Sequence, residues 1–457
     1  MSKFTPNAPH LYDCIGVGFG PSNIALAVAL DEVEQLDNVL FLEKAAAPDW
    51  QGEFLIEGSD IQHNPLRDFV TPRNPVSPFG FLSYLKAQGR LFDFLNLEAP
   101  FPPRSEYARY VVWVARQFDK VVRYSAPVCD ISHDWIADLP VLRVQTQTGE
   151  VYFTRSVSFA PGRSTYVPNP FASHVGDRMI HATNYRSAVA RWQHQGDVNS
   201  IAVFGASQSA VELLLDLPTH FHSAQITGIS RSFGIKQKDL SPFTERVYEP
   251  EFVDSFYAAP IDVQASLRNE LWRSNYGAAD HDVIAALQFR LYEQQVTGRA
   301  QIQLQNNKIA QQISPRSKGK GFDISLRDRM DGSETNQGFD AVILATGFLN
   351  HGETPTAEPY HPLLASVAGN AQFRKDGAIA QARDYSILNA PGEQRAPIFL
   401  NGVSETTHGF GDAGSFSLLS IRSAEIAQSI QNTREAVKPT GTHTATANLT
   451  AITQPAE

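Results

Sequence analysis

Apolar positions are most regularly spaced near the beginning of the chain, where short apolar runs alternate with a helical repeat. The apolar pair Cys14–Ile15 leads into the glycine-rich turn 16–21, and apolar side chains then recur with helical spacing at positions 24, 25, 28 and 30. A second apolar run, Val39–Leu42, ends at Glu43. This alternation predicts a strand, a helix and a second strand, which is the repeating unit of an α/β fold.

The turn before the helix has the residue types of a dinucleotide site. Gly16 permits a tight turn, and Gly18 lets the backbone approach a pyrophosphate, which the free N–H groups at the helix start would bind. Pro21 replaces the third glycine of the fingerprint, and proline suits the first turn of a helix. Glu43 lies 22 residues after Pro21, where a carboxylate would accept hydrogen bonds from ribose hydroxyls. The predicted contact residues of this first site are Gly16, Gly18, Gly20, Pro21, Ser22 and Glu43.

A second unit of the same kind begins at Ile201. The apolar strand 201–204 precedes a small-residue turn, a helix over 211–217 and a strand that ends at Arg231, 21 residues after Ala210. A cation at this point would accommodate a 2′-phosphate, which favours NADPH over NADH; the alternative is a solvated loop charge. The predicted contact residues of this second site are Gly205, Ser207, Gln208, Ser209 and Arg231.

The alternation of strands and helices predicts an α/β fold with two Rossmann-like dinucleotide-binding domains. Residues 1–190 and 346–437 are assigned to the first domain, and residues 191–345 to the second. A mainly helical insertion for the substrate is expected at about 235–298, and a disordered tail at 438–457, where the composition is rich in Thr, Ala and Pro. The polar, proline-rich segment 45–80 is expected to be an ordered functional loop.

Composition excludes several classes of protein. The net charge of −10 argues against a nucleic-acid partner, and no apolar run is long enough to span a membrane. The N-terminal residues lack the apolar core of a signal peptide, and the two cysteines, Cys14 and Cys129, form neither a disulfide framework nor a thiolate metal cluster. We therefore expect a cytoplasmic enzyme without a metal.

Two dinucleotide sites, one ending in Glu43 and one in Arg231, indicate FAD in the first and NADPH in the second. Such proteins transfer a hydride from the nicotinamide to the flavin. A disulfide reductase would need a redox-active cysteine pair, and Cys14 and Cys129 are too far apart in the sequence for one. A monooxygenase uses O₂ and needs neither a protein nucleophile nor a metal.

The chain resembles the microbial N-hydroxylating flavoprotein monooxygenases, the ornithine and lysine hydroxylases of hydroxamate siderophore pathways. The similarity extends from about Tyr12 to Ala427 and depends on a combination of short motifs. They are Gly16–Asn23, Gln62 with Asp68–Thr71, Pro78–Leu85, Gly205–Ala210, Ser241–Phe243, Asn275–Tyr276, Ala345–Gly347 and Thr407–Gly409.

The resemblance implies that NADPH reduces FAD, that O₂ adds to the flavin as a hydroperoxide, and that a neutral primary amine attacks it. It places Gln62 against the reactive edge of the flavin and Asn275 beside the amine and the nicotinamide. Without the resemblance, a loop amide and a turn cap would be the simpler interpretations of these two residues. The resemblance also implies a homo-oligomer, a tetramer. Further cofactor contacts are expected at Trp50, Tyr276, Thr346, Gly347 and Asp412.

The chain departs from the family pattern where the substrate would bind. Arg67 replaces a lysine that binds the amino-acid carboxylate, and Glu245 replaces an asparagine with the same role. Arg67 favours an ornithine-type amino acid, whereas Glu245 could receive the ammonium of a diamine such as putrescine or cadaverine. Two other classes remain open from the sequence: an NADPH–flavin oxidase or reductase, and a nucleotide-binding redox sensor.

Overall fold

The computed structural model describes residues 10–317, 319–412 and 414–436, so the tail predicted at 438–457 lies outside the described residues. The strands are β1 (Leu11–Tyr12), β2 (Cys14–Val17), β3 (Val39–Leu42), β4 (Val122–Arg123), β5 (Val128–Ile136), β6 (Leu139–Thr146), β7 (Val151–Thr154), β8 (Val157–Phe159), β9 (Met179–His181), β10 (Ser200–Phe204), β11 (Gln225–Ile229), β12 (Ile302–Gln305), β13 (Lys308–Pro315), β14 (Phe322–Asp328), β15 (Glu334–Phe339), β16 (Ala341–Leu344), β17 (Asn350–His351), β18 (Ala357–Glu358) and β19 (Ile398–Leu400).

The α-helices of the described residues are short, apart from two long ones near the end of each half. They are α1 (Pro21–Asp31), α2 (Phe81–Ala87), α3 (Leu91–Leu95), α4 (Arg104–Ala115), α5 (Asn169–Ala172), α6 (Tyr185–Gln195), α7 (Gln208–His220), α8 (Pro250–Ala258), α9 (Ile261–Glu270), α10 (His281–Thr297), α11 (Ala365–Ala368), α12 (Glu405–His408) and α13 (Leu419–Ala436). In this part of the chain no helix combines the length and apolar character needed to cross a membrane.

The first dinucleotide unit forms a parallel sheet with the strand order β19-β8-β2-β3-β4. Its central strand β2 is fully buried, and α1 packs against α13 on one face. Parallel strands covered on both faces become continuously apolar, which is why Cys14–Val17 and Val39–Leu42 lack alternation. Burial raises the pKa of the Cys14 thiol to about 12, so this cysteine is a small core residue, as predicted.

The second unit forms another parallel sheet, with the order β12-β11-β10-β16-β9. Strand β9 pairs with β16, so Met179–His181 lies in the second sheet although the sequence prediction assigned it to the first domain. A three-residue strand carries too little periodicity to be assigned from sequence alone. The boundary at residue 191 and the other domain limits stay predictions. The segment 235–298 contains α8, α9 and α10.

Gly16 does not form the tight turn that the sequence predicted. It lies inside β2, and a Cβ atom there would come within 2.2 Å of Cδ1 of Phe41 on β3. The turn itself is made by Gly18, whose φ of +81° is favourable only for glycine. Gly16 is therefore required by the close packing of the fully buried Phe41 ring.

We expect Gly16→Ala to destabilise the protein by about 1–3 kcal/mol, because an overpacked core must shift to make room. Combining it with Phe41→Leu should cost less than the sum of the two single changes, because the smaller side chain vacates the contested space. Denaturant unfolding at saturating FAD measures all three variants. Strictly additive costs would show that Phe41 is not the constraint.

Candidate active site

A cavity of about 440 Å³ opens at the carboxyl ends of the strands of the first sheet. A Cβ atom on Gly18 would lie 2.4 Å from the carbonyl oxygen of Ala160, so only glycine allows these two turns to meet. Gly20 caps α1 and has open space where a Cβ would stand. A cavity at the start of an eleven-residue helix fits the pyrophosphate of a dinucleotide. Five predicted residues line it: Gly18, Gly20, Pro21, Ser22 and Glu43.

Glu43 is held at the wall of this cavity by backbone donors. Its Oε2 accepts a hydrogen bond of 2.6 Å from the N–H of Phe19, and its Oε1 accepts one of 2.8 Å from the N–H of Ala45. A carboxylate oxygen has two acceptor sites, so capacity remains for ribose hydroxyls. The structure therefore fits FAD in the first unit.

A buried cation that the sequence analysis did not single out supports the same cavity. Arg422 on α13 is 1% exposed and donates to Oδ1 of Asp412 at 2.5 Å, to Oδ1 of Asn401 at 2.9 Å and to Oγ of Ser22 at 3.1 Å. Asp412 also accepts from the N–H of Ser404. Asp412, predicted to contact a cofactor, is therefore placed behind the cavity wall, and its contact with FAD stays a prediction. The available signal was a charge on the apolar side of a helical repeat.

The second unit repeats the close approach of two strand ends. A Cβ on Gly205 would lie 2.5 Å from the carbonyl oxygen of Ala345, which follows β16. Ser207 caps α7 in an extended conformation, and Gln208 and Ser209 form the first turn of that helix. The chain thus presents the N-terminus of α7 at the carboxyl edge of the sheet, where a second dinucleotide fits.

Arg231 follows β11 at the same edge and is exposed. A second arginine reaches it: Nη1 of Arg329, which follows β14, donates to the carbonyl oxygen of Arg231 at 2.6 Å. Ser230 and Asn306 are also joined there, at 3.1 Å. Two guanidinium groups beside this turn give a positive region suited to a 2′-phosphate. The sequence had offered only Arg231.

Three further predicted contacts lie in packed turns. Gly347, with a φ of +82°, accepts hydrogen bonds at its carbonyl oxygen from the N–H of Tyr166 at 2.9 Å and from Nε2 of His181 at 3.0 Å. The hydroxyl of Thr346 donates to the carbonyl oxygen of Tyr166. Trp50 packs edge-to-face against Phe416, with ring centroids 5.5 Å apart. Their contacts with a cofactor stay predictions.

Gln62 occupies a left-handed backbone conformation, with a φ of +60°. Its N–H donates to Oδ1 of Asp60 at 3.0 Å, and its Nε2 lies 3.4 Å from Oε1 of Glu212 on α7. A non-glycine residue in this region is uncommon and is held there by its surroundings. The loop at Gln62 is thus fixed against the NADPH-type unit.

A buried polar cluster lies next to Asn275. The hydroxyl of Tyr276 accepts from Nη1 of Arg163 at 2.9 Å and donates to Oε2 of Glu405, whose Oε1 accepts from Nδ2 of Asn350 at 2.8 Å. Burial raises the pKa of Glu405 to about 7, although Arg163 opposes the shift. Tyr276, a predicted cofactor contact, is therefore anchored by a carboxyl group that the sequence analysis had not noticed.

The two residues that departed from the family pattern lie together. Nη1 of Arg67 is 3.3 Å from Oε2 of Glu245 and 3.3 Å from Oγ of Ser417. The guanidinium group also lies over the ring of Tyr248, 5.5 Å from its centroid, and the Tyr248 hydroxyl donates to the carbonyl oxygen of Ser274. Ser274 precedes Asn275, so the Arg67–Glu245 pair and Asn275 belong to one connected site.

Comparison with known proteins agrees with this geometry. Residues 10–350 match the family model described as L-lysine 6-monooxygenase/L-ornithine 5-monooxygenase. The L-ornithine N(5)-monooxygenase of Pseudomonas aeruginosa is 33% identical over 440 residues, covering 94% of this chain and 96% of the relative. The chain belongs to this family.

Solved structures of family relatives have the same fold. The ornithine hydroxylase from Pseudomonas aeruginosa is 32% identical with a TM-score of 0.83, covering 93% of this chain and all of that one. An ornithine N-hydroxylase from Kutzneria sp. 744, solved with reduced FAD, NADP⁺ and L-ornithine, is 26% identical with a TM-score of 0.84 and the same coverage.

These findings confirm four predictions: the family, the α/β fold with two Rossmann-like dinucleotide units, the enzyme class and the cofactors. The enzyme is an NADPH-dependent flavin monooxygenase that uses FAD. Among the described residues, no group of three or more His, Cys, Asp and Glu side chains is arranged to hold a metal ion. The assignments of individual side chains stay predictions.

We expect Arg231→Ala and Arg329→Ala each to raise the KM for NADPH roughly ten-fold, because each removes a cation from the turn that faces the 2′-phosphate. The KM for NADH should change little. Steady-state NADPH and NADH oxidation measures both, with Arg327→Ala, an exposed arginine on β14, as the matched control. An unchanged ratio of the two KM values would remove the altered arginine from the site.

The raised pKa of Glu405 predicts a pH dependence of stability. The folded protein holds a proton on this group up to about pH 7, whereas a carboxyl in the unfolded chain releases it near pH 4.5. The stabilising contribution is therefore full below pH 4.5 and is lost as the pH rises to 7. Thermal unfolding should show a smaller loss between pH 5 and pH 8 for Glu405→Gln than for the parent. An identical loss in the two proteins would contradict the assignment.

Proposed function

We propose that the enzyme hydroxylates the side-chain amine of L-ornithine. The amine, O₂, NADPH and one proton give the hydroxylamine, NADP⁺ and water. The observation that carries the proposal is the Arg67–Glu245 pair, which presents a cation and an anion to one site. The relatives named as L-ornithine N(5)-monooxygenases support the same choice of substrate.

The charge pair matches the end of an amino acid that does not react. An α-amino acid carries a carboxylate and an ammonium group on one carbon atom, so Arg67 can bind the carboxylate while Glu245 binds the ammonium. Arg67 offers planar, bidentate geometry for the carboxylate, and Ser417 supplies a hydroxyl beside it. Arg246 is not needed to neutralise Glu245, because it pairs with Glu249 at 3.1 Å.

The reacting amine must be uncharged to act as a nucleophile. A free primary amine has a pKa near ~10.4, so the site has to favour the neutral form by removing water. Ser274, next to Asn275, is completely buried, and Tyr248 is 9% exposed. We infer that the Asn275 side chain binds and orients the amine in this desolvated region, while Gln62 contacts the flavin.

FAD, once reduced by NADPH, supplies the activated oxygen when it is bound. The protein's own task is to hold the two nucleotides at the two sheet edges and to place the amine between them. Gly18, Gly20 and Glu43 serve the first nucleotide, and Ser207, Gln208 and Arg231 the second. The homo-oligomeric state expected from the resemblance stays a prediction.

The Arg67–Glu245 pair gives a direct test of the substrate. Arg67→Gln should lower kcat/KM for ornithine roughly 30-fold, about 2 kcal/mol, because the amino-acid carboxylate loses its cation. We use the low end of the usual range because the two side chains are 33% and 26% exposed. Hydroxylamine product should be measured with ornithine, lysine, putrescine and cadaverine. Arg246→Gln, which removes a nearby exposed arginine, is the matched control.

Glu245→Gln separates the amino acid from the diamine. With an amino acid it should weaken binding less than Arg67→Gln, since the carboxylate keeps its partner. With a diamine, Glu245→Gln would be the more damaging change and Arg67→Gln the milder one. Turnover of a diamine with ornithine and lysine both inert would overturn the proposal. NADPH oxidation that yields only hydrogen peroxide with every amine would indicate an oxidase.

A further inference from the structure

Glu212 is a charged residue at a buried position of α7, and its partner comes from the other dinucleotide unit. Nη2 of Arg104 on α4 lies 2.7 Å from Oε1 of Glu212, and Nη1 lies 2.9 Å from Oε2. The two side chains are 7% and 4% exposed. Arg104 also donates to the carbonyl oxygens of Phe54 and Asp60, each at 3.1 Å. The pair therefore joins α7 to the loop that ends at Gln62.

The same carboxylate binds two glutamines that the sequence analysis assigned to the two cofactors. Oε1 of Glu212 accepts from Nε2 of Gln208 at 2.9 Å and lies 3.4 Å from Nε2 of Gln62. Gln208 is fully specified, since its Oε1 accepts from the N–H of Asp280 at 2.8 Å. An ionised carboxylate only accepts hydrogen bonds, so each glutamine must turn its NH₂ group towards Glu212. For Gln62 this leaves the carbonyl oxygen available to another partner.

Stability alone does not explain a buried ion pair. Replacing such a pair with apolar residues of similar volume is often neutral or stabilising, because two charges are no longer taken out of water. Apolar side chains at Glu212 and Arg104 would fill this space but would leave both glutamine amides without an acceptor. The part of the cluster that only a carboxylate can supply is the orientation of Gln62 and Gln208.

We propose that Glu212 is a positioning residue that fixes which end of the Gln62 amide faces the flavin. This inference rests on the proposed function, in which Gln62 contacts the cofactor. Arg104 keeps the carboxylate ionised and in place, and Gln208 brings the first turn of α7 into the same arrangement. The orientation of the flavin-side amide is thus set by a residue of the NADPH-type unit.

The test uses the holoenzyme and the double variant Arg104→Leu/Glu212→Leu, which removes both charges without leaving one unpaired. It should retain FAD and still oxidise NADPH, but hydroxylated ornithine formed per NADPH should fall at least three-fold, with hydrogen peroxide accounting for the difference. Removing the Arg73–Glu32 ion pair by the same substitutions is the control, because that pair joins two elements without contacting Gln62. An unchanged product yield in the Arg104/Glu212 variant would overturn the proposal.

Combination with Gln62→Ala distinguishes positioning from a general loss of structure. If Glu212 acts through Gln62, adding Gln62→Ala to the double variant should cause no further fall in product yield, whereas independent effects would multiply. The visible circular dichroism of the bound FAD gives a readout that does not depend on turnover. Gln62→Ala and the double variant should change this spectrum alike. Unlike spectra, or multiplied losses, would refute the inference.

The spectral measurement also separates the two proposals. A parent enzyme that forms no hydroxyornithine, while its variants show the shared spectral change, would refute the substrate and leave the role of Glu212 standing. Normal hydroxylation by the parent with no spectral change in the variants would do the opposite. A variant that loses FAD can be replaced by Glu212→Asp, which keeps the charge and should show the same spectral change.

Discussion

The structure depends on one buried ion pair, between Arg422 and Asp412. The guanidinium group connects the last helix to the turn that carries Ser22 and to Asn401 after β19, so three segments distant in sequence meet behind one cavity wall. Burial raises the pKa of Asp412, and Arg422 opposes that shift. Losing either partner would leave an uncompensated charge in the interior, which typically costs about 3–5 kcal/mol. The first nucleotide site is therefore completed by the end of the chain.

Buried charges recur wherever separate parts of the fold must keep one geometry. Arg104 and Glu212 join the two dinucleotide units, and Arg163 and Glu405 surround the hydroxyl of Tyr276. Apolar packing is non-directional and tolerates small displacements, whereas a bidentate ion pair specifies both distance and angle. This division suits an enzyme that must hold a flavin, a nicotinamide and an amine in fixed relative positions.

The substrate end of the site uses its charges differently. Arg67 and Glu245 are partly exposed and neutralise each other, so they can exchange that contact for the charged groups of a ligand at modest cost. Their connection to Asn275 through Tyr248 and Ser274 links recognition of the distal end of the substrate to the place where the amine would react. Specificity for an amino acid would then require both charges, while the chemistry itself requires neither.

The sequence by itself determined the repeating local pattern. Buried parallel strands become continuous apolar runs, and close backbone turns require glycine, so both dinucleotide units, their order and the cation at Arg231 could be predicted. The motif combination also gave the family. Local patterns carry no information on which distant residues meet, however. The placement of β9 in the second sheet, the packing reason for Gly16 and the roles of Arg422, Glu405 and Glu212 were decided only by the tertiary structure. A charged residue within an apolar repeat signals a buried partner, but the partner's identity depends on how the sheets and helices pack.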